Sequence, residues 1–303
     1  MKVFVTGVGG QLGHDMMLEA AKRGHQVIGS DLHPAFSGVP DSAVRHMPYI
    51  SLDITDAQAV SRVLRQEKPD VVVHCAAWTA VDLAEETDKI AIVNRINAEG
   101  TRNVARACNA LGCKMVYIST DYVFSGLGEE PWEPECVEFA PVNVYGRSKL
   151  AGEQAVAECM KRFFIVRIAW AFGRNGKNFV KTMLALSEKY DTLRVVCDQI
   201  GTPTYTKDLA VLLADMIETE KYGYYHVTNE GGYISWYEFA CEIFRQAGRE
   251  THVIPVTTQE YGLSKAARPL NSRMGKKKLA QEGFQPLPHW QDALRRYLKE
   301  IEV

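Results

Sequence analysis

Tyr145 and Lys149 stand four residues apart in Val144-Tyr145-Gly146-Arg147-Ser148-Lys149, a short stretch after Ile118-Ser119-Thr120-Asp121. On a helix, positions i and i+4 share a face, so the Lys149 ammonium is expected beside the Tyr145 phenol, where it favours the ionised form. A phenol drawn down from its ordinary value of ~10 becomes a usable proton donor for a carbonyl that is receiving a hydride. Ser119 and Thr120 fall where an apolar strand is expected to emerge, so one of the two hydroxyls can hold the oxygen of that carbonyl. Fixed donors of this kind are worth about 2.7 to 4 kcal/mol each. The same Tyr/Lys spacing recurs at Tyr261 and Lys265. Gly262 follows that tyrosine and no strand precedes it, which marks the second pair as a surface coincidence.

A hydride needs a carrier, and the N-terminus has the pattern of a site for one. Thr6-Gly7-Val8-Gly9-Gly10-Gln11-Leu12-Gly13 joins an expected strand to an expected helix, with Gly7, Gly10 and Gly13 in Gly-x-x-Gly-x-x-Gly spacing. Small residues are needed there because the backbone must turn sharply, approach a pyrophosphate and let the helix pack on the strand. The N–H groups and dipole at the helix start then favour the phosphates. Asp31 closes the next strand, His25-Gln26-Val27-Ile28-Gly29-Ser30, and can accept from the adenosine ribose hydroxyls. Its charge repels a 2′-phosphate, so electrostatics alone leans toward NADH. Asp53 has two readings, one at the adenine edge of the cofactor and one as a helix cap. The small residues of His74-Cys75-Ala76-Ala77 leave room for the nicotinamide half or serve tight strand packing. His74 itself is expected to satisfy a core hydrogen bond, and Cys75 to be a small packing residue.

These groups must be carried by a regular frame. Short apolar runs at Val3 to Thr6, Gln26 to Ser30, Val71 to Cys75, Met115 to Ser119 and Phe163 to Ile168 alternate with helical stretches at Gln11 to Arg23, Ala57 to Gln66, Ala91 to Leu111 and Val144 to Met160. Such alternation predicts a doubly wound α/β domain of Rossmann type, its parallel strands buried on both faces. The dinucleotide domain is expected over 1–170. Residues 171–303 read mainly as a smaller substrate-binding lobe, with 194–228 returning to the sheet through strands at Arg194 to Cys197 and Tyr224 to Thr228.

The chain of 303 residues, 46% hydrophobic and 24% charged, has the composition of an ordinary globular protein. A net charge of -2 gives no electrostatic case for nucleic acid or an anionic membrane surface as partner. The basic run Lys276-Lys277-Lys278 is expected to be a solvated helix face. Seven cysteines scattered singly suggest neither zinc ligation nor a disulfide framework, and free thiols suit a reducing cytoplasm. No signal-peptide pattern or membrane-spanning run is expected.

The chain resembles the extended short-chain dehydrogenase/reductases, and within them the dTDP-4-dehydrorhamnose reductases. The resemblance rests on Gly10-Gln11-Leu12-Gly13, Ala76-Ala77-Trp78-Thr79-Ala80-Val81-Asp82, Ser119-Thr120-Asp121-Tyr122-Val123-Phe124 and Asn143-Val144-Tyr145-Gly146 leading into Ser148-Lys149-Leu150-Ala151-Gly152-Glu153. It continues through Trp170, Asn178-Phe179-Val180, Asp198-Gln199, Ser235-Trp236-Tyr237-Glu238-Phe239, Arg268-Pro269 and Asn271-Ser272. The resemblance implies Thr120 as the carbonyl-binding hydroxyl, Tyr145 as proton donor and Lys149 as its helper. It implies Asp121 and Trp170 against a deoxysugar, and Gly10, Gln11, Leu12, Asp31, Asp53, Ile54, Ala76, Ala77 and Trp78 along the cofactor. The implied reaction reduces the 4-keto group of a dTDP-6-deoxyhexulose to give dTDP-L-rhamnose. The resemblance widens the cofactor expectation to NADPH as well as NADH. It leaves open a homodimer with Mg2+ at its interface, since the motifs do not place the carboxylates.

The sequence departs from the family pattern at Ser125, where many members have Asp, and at Leu83, where Lys is common. Two rival readings stand beside the reductase. One is a nucleotide-sugar epimerase of the same superfamily, which holds and recycles its NAD. The other is a non-catalytic regulatory subunit like the methionine adenosyltransferase beta subunit, which intact Thr120, Tyr145 and Lys149 disfavour. Dehydration is disfavoured because Tyr122, not Glu, follows Asp121.

Overall fold

The computed structural model describes residues 1–303. The five expected strands form as β1 (Lys2–Thr6), β2 (Gln26–Asp31), β4 (Val71–His74), β5 (Lys114–Thr120) and β6 (Phe163–Ile168). A further short strand, β3 (Tyr49–Ser51), is created by its pairing with β2. Three residues after Pro48 are too few to show a period, which is why the sequence does not announce it. With Gly223–His226 these strands make one parallel sheet in the order Gly223–His226, β6, β5, β4, β1, β2, β3.

The order reverses between β1 and β4, and a crevice opens beyond the carboxyl ends of those strands. Val3, Val5, Val71 and Val73 pack under the first helix, Gln11–Lys22, and the helix Thr206–Ile217. Phe4, Val72, Met115 and Tyr117 face the opposite layer, where the helices Ala57–Glu67, Thr101–Leu111 and Val144–Cys159 pack. Helices on both sides are the reason these strands carry unbroken apolar runs.

The helix expected over 91–111 is interrupted. It runs as Ile90–Asn94, a wide π turn over Arg95–Gly100, and Thr101–Leu111. The wider turn sets the Asn97 side chain between Trp78 and Ser148, bonding both.

A third apolar cluster, built around Phe172, Val180, Phe239, Trp290 and Tyr297, forms the second lobe. The expected return of 194–228 to the sheet is correct only in part. The strand Thr192–Val196 pairs instead with His252–Val256 in a separate two-stranded sheet. Thr192 and Arg194 face solvent while Val195 and Val196 are buried, and such one-sided burial does not suit a sheet covered on both faces. Only 206–226, the helix Thr206–Ile217 and the strand Gly223–His226, rejoin the first domain.

The basic run also differs from expectation. Lys276 pairs with Glu230 at 3.1 Å and Lys278 with Glu135 at 2.6 Å, leaving Lys277 as the exposed member. No helix is long and apolar enough to cross a membrane.

Candidate active site

The glycine turn is built as its spacing requires. Gly7 has φ +71°, and a Cβ there would lie 2.6 Å from the Ala76 backbone nitrogen, so β1 and β4 approach as only glycine allows. A Cβ at Gly13 would lie 2.3 Å from the Gly7 carbonyl oxygen, which fixes how closely the first helix sits on the turn. Asp31 takes the Gly9 N–H at 2.9 Å and the Leu32 N–H at 2.8 Å, so this carboxylate shapes the loop that it faces. Asp53 accepts from Thr55 N–H at 2.8 Å, while the following helix is capped by Asp56. Of the two readings for Asp53, the helix cap is thereby excluded.

Above this turn lies a cleft of about 780 Å³. It brings together Gly7, Gly10, Gln11, Leu12, Gly13, Asp31, Asp53, Ile54, Ala76 and Ala77 at one end, and Thr120, Asp121, Tyr145, Lys149 and Trp170 at the other. Trp78 is the exception. Asn97 holds both its backbone N–H (2.8 Å) and its carbonyl (3.0 Å), and its side chain packs against Ala84, Val93 and Val144, the cluster that Tyr145 also packs against. Trp78 therefore supports the start of the Tyr145 helix from behind rather than lining the cleft.

Tyr145 and Lys149 share a face of the helix Val144–Cys159, whose N-terminus is capped by Asn143 accepting from Gly146 N–H at 2.7 Å. The expected electrostatics between the pair is not what the structure shows. Burial pushes the Tyr145 phenol above its ordinary value, the Asp121 charge adds to this, and only the Thr120 hydroxyl opposes it. The Lys149 amine lies over the Tyr117 ring, 4.1 Å from its centre, and burial pushes it down to about 7. Desolvation is the largest cause of both shifts, and neither group moves the other. Behind them, His74 bonds Thr6 at 2.8 Å and Thr101 at 3.2 Å, and burial pushes it down to about 3. It is the core hydrogen-bonding histidine that was expected. Burial pushes the Cys75 thiol up to about 12, which suits packing and not nucleophilic chemistry.

Thr120 ends β5 and does two things. Its hydroxyl accepts from Tyr122 N–H at 3.2 Å, capping the turn Asp121–Val123, and donates to Asp121 Oδ1 at 2.9 Å. Asp121 is buried, and desolvation pushes it up to about 6 against hydrogen bonds from Ser272 and Thr120 that pull it down. Trp170 adopts φ +50°, a left-handed conformation that costs a non-glycine residue about 1 kcal/mol or more. Its ring stacks on Trp236 with centroids 3.7 Å apart, and a Cβ at Gly201 would lie 3.0 Å from it. Tyr261 and Lys265 lie outside the cleft, since the short helix Thr258–Tyr261 ends at left-handed Gly262.

Ser119 is one of the two strand-end hydroxyls that the sequence offered, whereas Ser30 carries no chemical signature of its own there. Ser30 and Ser119 line the cleft with buried hydroxyls that have no partner, two of only three such atoms in the chain. Buried polar atoms without partners are costly, so their clustering here marks a surface that a polar ligand satisfies. Together with the crevice at Gly7 and Ala76, they fit a dinucleotide. Asn178 joins the lobes by donating to Gln11 Oε1 at 3.0 Å while capping the helix Phe179–Ser187. The family-like blocks at Asn178, Trp236 and Ser272 were visible signals; the bracing role of Asn97 was not.

A parallel sheet with a glycine crevice at its switch point and a Thr/Tyr/Lys centre beside it defines the extended short-chain dehydrogenase/reductase class. The model of the RmlD substrate binding domain matches residues 1–303, and the chain belongs to that family. It is 40% identical to the spore coat polysaccharide biosynthesis protein SpsK of Bacillus subtilis, over 99% of this chain and 97% of that one. It is 39% identical to a dTDP-4-dehydrorhamnose reductase of Streptomyces griseus, over 96% and 90%. The crystal structure of a dTDP-4-dehydrorhamnose reductase from Bacillus anthracis in complex with NADP is similar throughout, with 41% identity, a TM-score of 0.88 and 99% of each chain covered.

Proposed function

We propose that this chain reduces the 4-keto group of dTDP-4-dehydro-L-rhamnose to give dTDP-L-rhamnose, using NADPH or NADH. The observation that carries the proposal is the convergence of Thr120, Asp121 and Tyr145 on one cleft with the crevice at Gly7 and Ala76. The relatives named for this reaction support the sugar and the nucleotide, and the NADP complex of the Bacillus anthracis enzyme supports the cofactor.

The reduced nicotinamide supplies the hydride when bound. Gly7, Gly10 and the start of the first helix would receive its phosphates, and Asp31 its adenosine ribose. Tyr145 keeps its proton until charge develops on the ketone oxygen, because burial and Asp121 hold the phenol in its neutral form. Thr120 turns the hydroxyl that Asp121 now accepts toward the same oxygen, so two donors meet the forming alkoxide. Burial disfavours the charged form of Lys149, which it pushes down to about 7, and a phenolate developing at Tyr145 one helical turn away draws the amine toward its protonated form, which then stabilises that phenolate. Trp170 and Trp236 present aromatic surface to the deoxysugar from the second lobe. Seven free thiols support a reducing, cytoplasmic setting.

The test is a coupled assay with the dTDP 4-keto sugar against its UDP and GDP analogues, run with both reduced cofactors. The dTDP substrate should be consumed with stoichiometric cofactor oxidation. Tyr145→Phe should lose about 10²- to 10⁴-fold in kcat while still binding cofactor. Unchanged turnover in that variant removes Tyr145 from the mechanism. Release of tightly held NAD on denaturation, with no net oxidation of added NADPH, identifies an epimerase instead.

A further inference from the structure

The block Arg268-Pro269-Leu270-Asn271-Ser272 has no role in the chemistry above, yet its segment is tied to nearly every support of the reaction centre. Ala266 N–H donates to Asp82 at 3.0 Å, and Arg268 binds the same carboxylate at 2.6 Å. The Ala267 carbonyl accepts from Asn143, the residue that caps the Tyr145 helix, at 2.8 Å. Asn271 donates to the Glu130 carbonyl at 2.8 Å, and its own N–H reaches the Gly126 carbonyl at 2.9 Å. Ser272 N–H bonds the Ile200 carbonyl at 2.8 Å, which sets its side chain beside Gly201 and Trp170. From that fixed point the Ser272 hydroxyl donates to Asp121 Oδ2, while Thr120 donates to Oδ1.

We infer that Ser272 is a positioning residue for the reduction: by holding Asp121 from the second lobe, it keeps the Thr120 hydroxyl presented to the ketone. Both Ser272 and Asp121 are buried, so a lost donor leaves the carboxylate poorly compensated. When Thr120 turns its hydroxyl toward the substrate, Asp121 gives up one of its two side-chain donors. The Ser272 bond is the one that remains, and it keeps a buried carboxylate in place beside the reacting oxygen. The groups facing Asp121 are Thr120, Tyr122 and its backbone N–H, Tyr145 from its helix, and Ser272, with Arg268 beyond Tyr122. The inference rests on the reductase reading for its kinetic consequence, but not for its physical core.

The first measurement needs no turnover. A carboxylate 13C NMR titration of cofactor-bound protein should show Asp121 changing state near pH 6. Ser272→Ala removes a bond that pulls this carboxyl down, so its midpoint should move up by roughly one pH unit. Ser272→Thr, which keeps the hydroxyl, should restore it. In the reductase assay, Ser272→Ala should lower kcat/KM about tenfold with cofactor affinity unchanged, and should add no further loss to Asp121→Asn. An unmoved Asp121 midpoint, or an equal penalty from Ser272→Ala on both backgrounds, overturns the inference. A wild type that turns over no 4-keto sugar while its Asp121 midpoint still responds to Ser272 sinks the substrate assignment and leaves the positioning bond standing. If Ser272→Ala does not fold, Ser272→Cys, which keeps the side chain's shape but is only a weak donor, carries the same test: the Asp121 midpoint should still rise, and an unmoved midpoint overturns the inference.

Discussion

The two ends of the cleft are made of different material. At the glycine end the working surface is backbone: the turn after β1, the start of the first helix and the small residues after β4. At the reaction end it is side chain: Thr120 from β5, Tyr145 and Lys149 from a helix, Asp121 from a turn and Ser272 from the second lobe. A backbone surface tolerates no added atom but depends little on side-chain identity around it. A surface of buried polar side chains is the reverse, because each group is held by partners that arrive from distant parts of the chain. Substitution should therefore act in opposite ways at the two ends.

The largest effect outside the catalytic groups is expected from Gly7→Ala. A Cβ there meets the Ala76 backbone at 2.6 Å and the Cys75 carbonyl carbon at 2.9 Å, and φ +71° is itself unfavourable for alanine. Strain and overlap together should destabilise the protein by about 2 to 4 kcal/mol and weaken dinucleotide binding. Urea unfolding and a cofactor fluorescence titration measure the two losses. Full retention of both would show that the close approach of β1 to β4 is not needed, and the contrast between the ends would fail.

Lys149→Met should have an intermediate effect with a particular pH signature. The folded protein releases the Lys149 proton near 7, while an unfolded lysine keeps it to about 10.5. Between those values the unfolded chain binds more protons, so this residue makes stability rise with pH, by at most about 1.4 kcal/mol per pH unit. Methionine fills the site without a charge and removes that slope. Cofactor-free Lys149→Met should thus be more stable than wild type near pH 7, and the advantage should shrink as pH is raised toward 10. Parallel stability curves would mean that Lys149 is well solvated in the folded protein.

The same division explains what the sequence could disclose. Strands β1, β2, β4, β5 and β6, the glycine turn and the Tyr/Lys face are local patterns, and each stands where its spacing puts it. Strand β3 has three residues and exists only through β2, and the pairing of Thr192–Val196 with His252–Val256 is decided by which surfaces are covered. Trp78 lies in a motif beside Ala76 and Ala77, yet its backbone is held by Asn97 from a π turn and its side chain packs against Ala84, Val93 and Val144 rather than lining the cleft. The raised Tyr145 phenol and lowered Lys149 amine follow from burial, which spacing along a helix does not report.

The smallest effect is expected where a charged side chain is laid over the backbone end. Asp31 accepts from Gly9 and Leu32 and faces the ribose position. Asp31→Asn keeps one oxygen acceptor and removes the charge that opposes a 2′-phosphate. Coulomb interaction across a partly solvated site is on the order of 1 kcal/mol, so NADPH affinity should rise roughly fivefold. NADH affinity should fall slightly, as the ribose loses a charged acceptor. Since a partly exposed charge is screened, the gain for NADPH should narrow when ionic strength is raised from about 0.05 to 0.5 M. If both cofactors weaken equally and without salt dependence, Asp31 acts by shaping the turn through Gly9 and not through charge. The glycine end would then depend on a side chain after all.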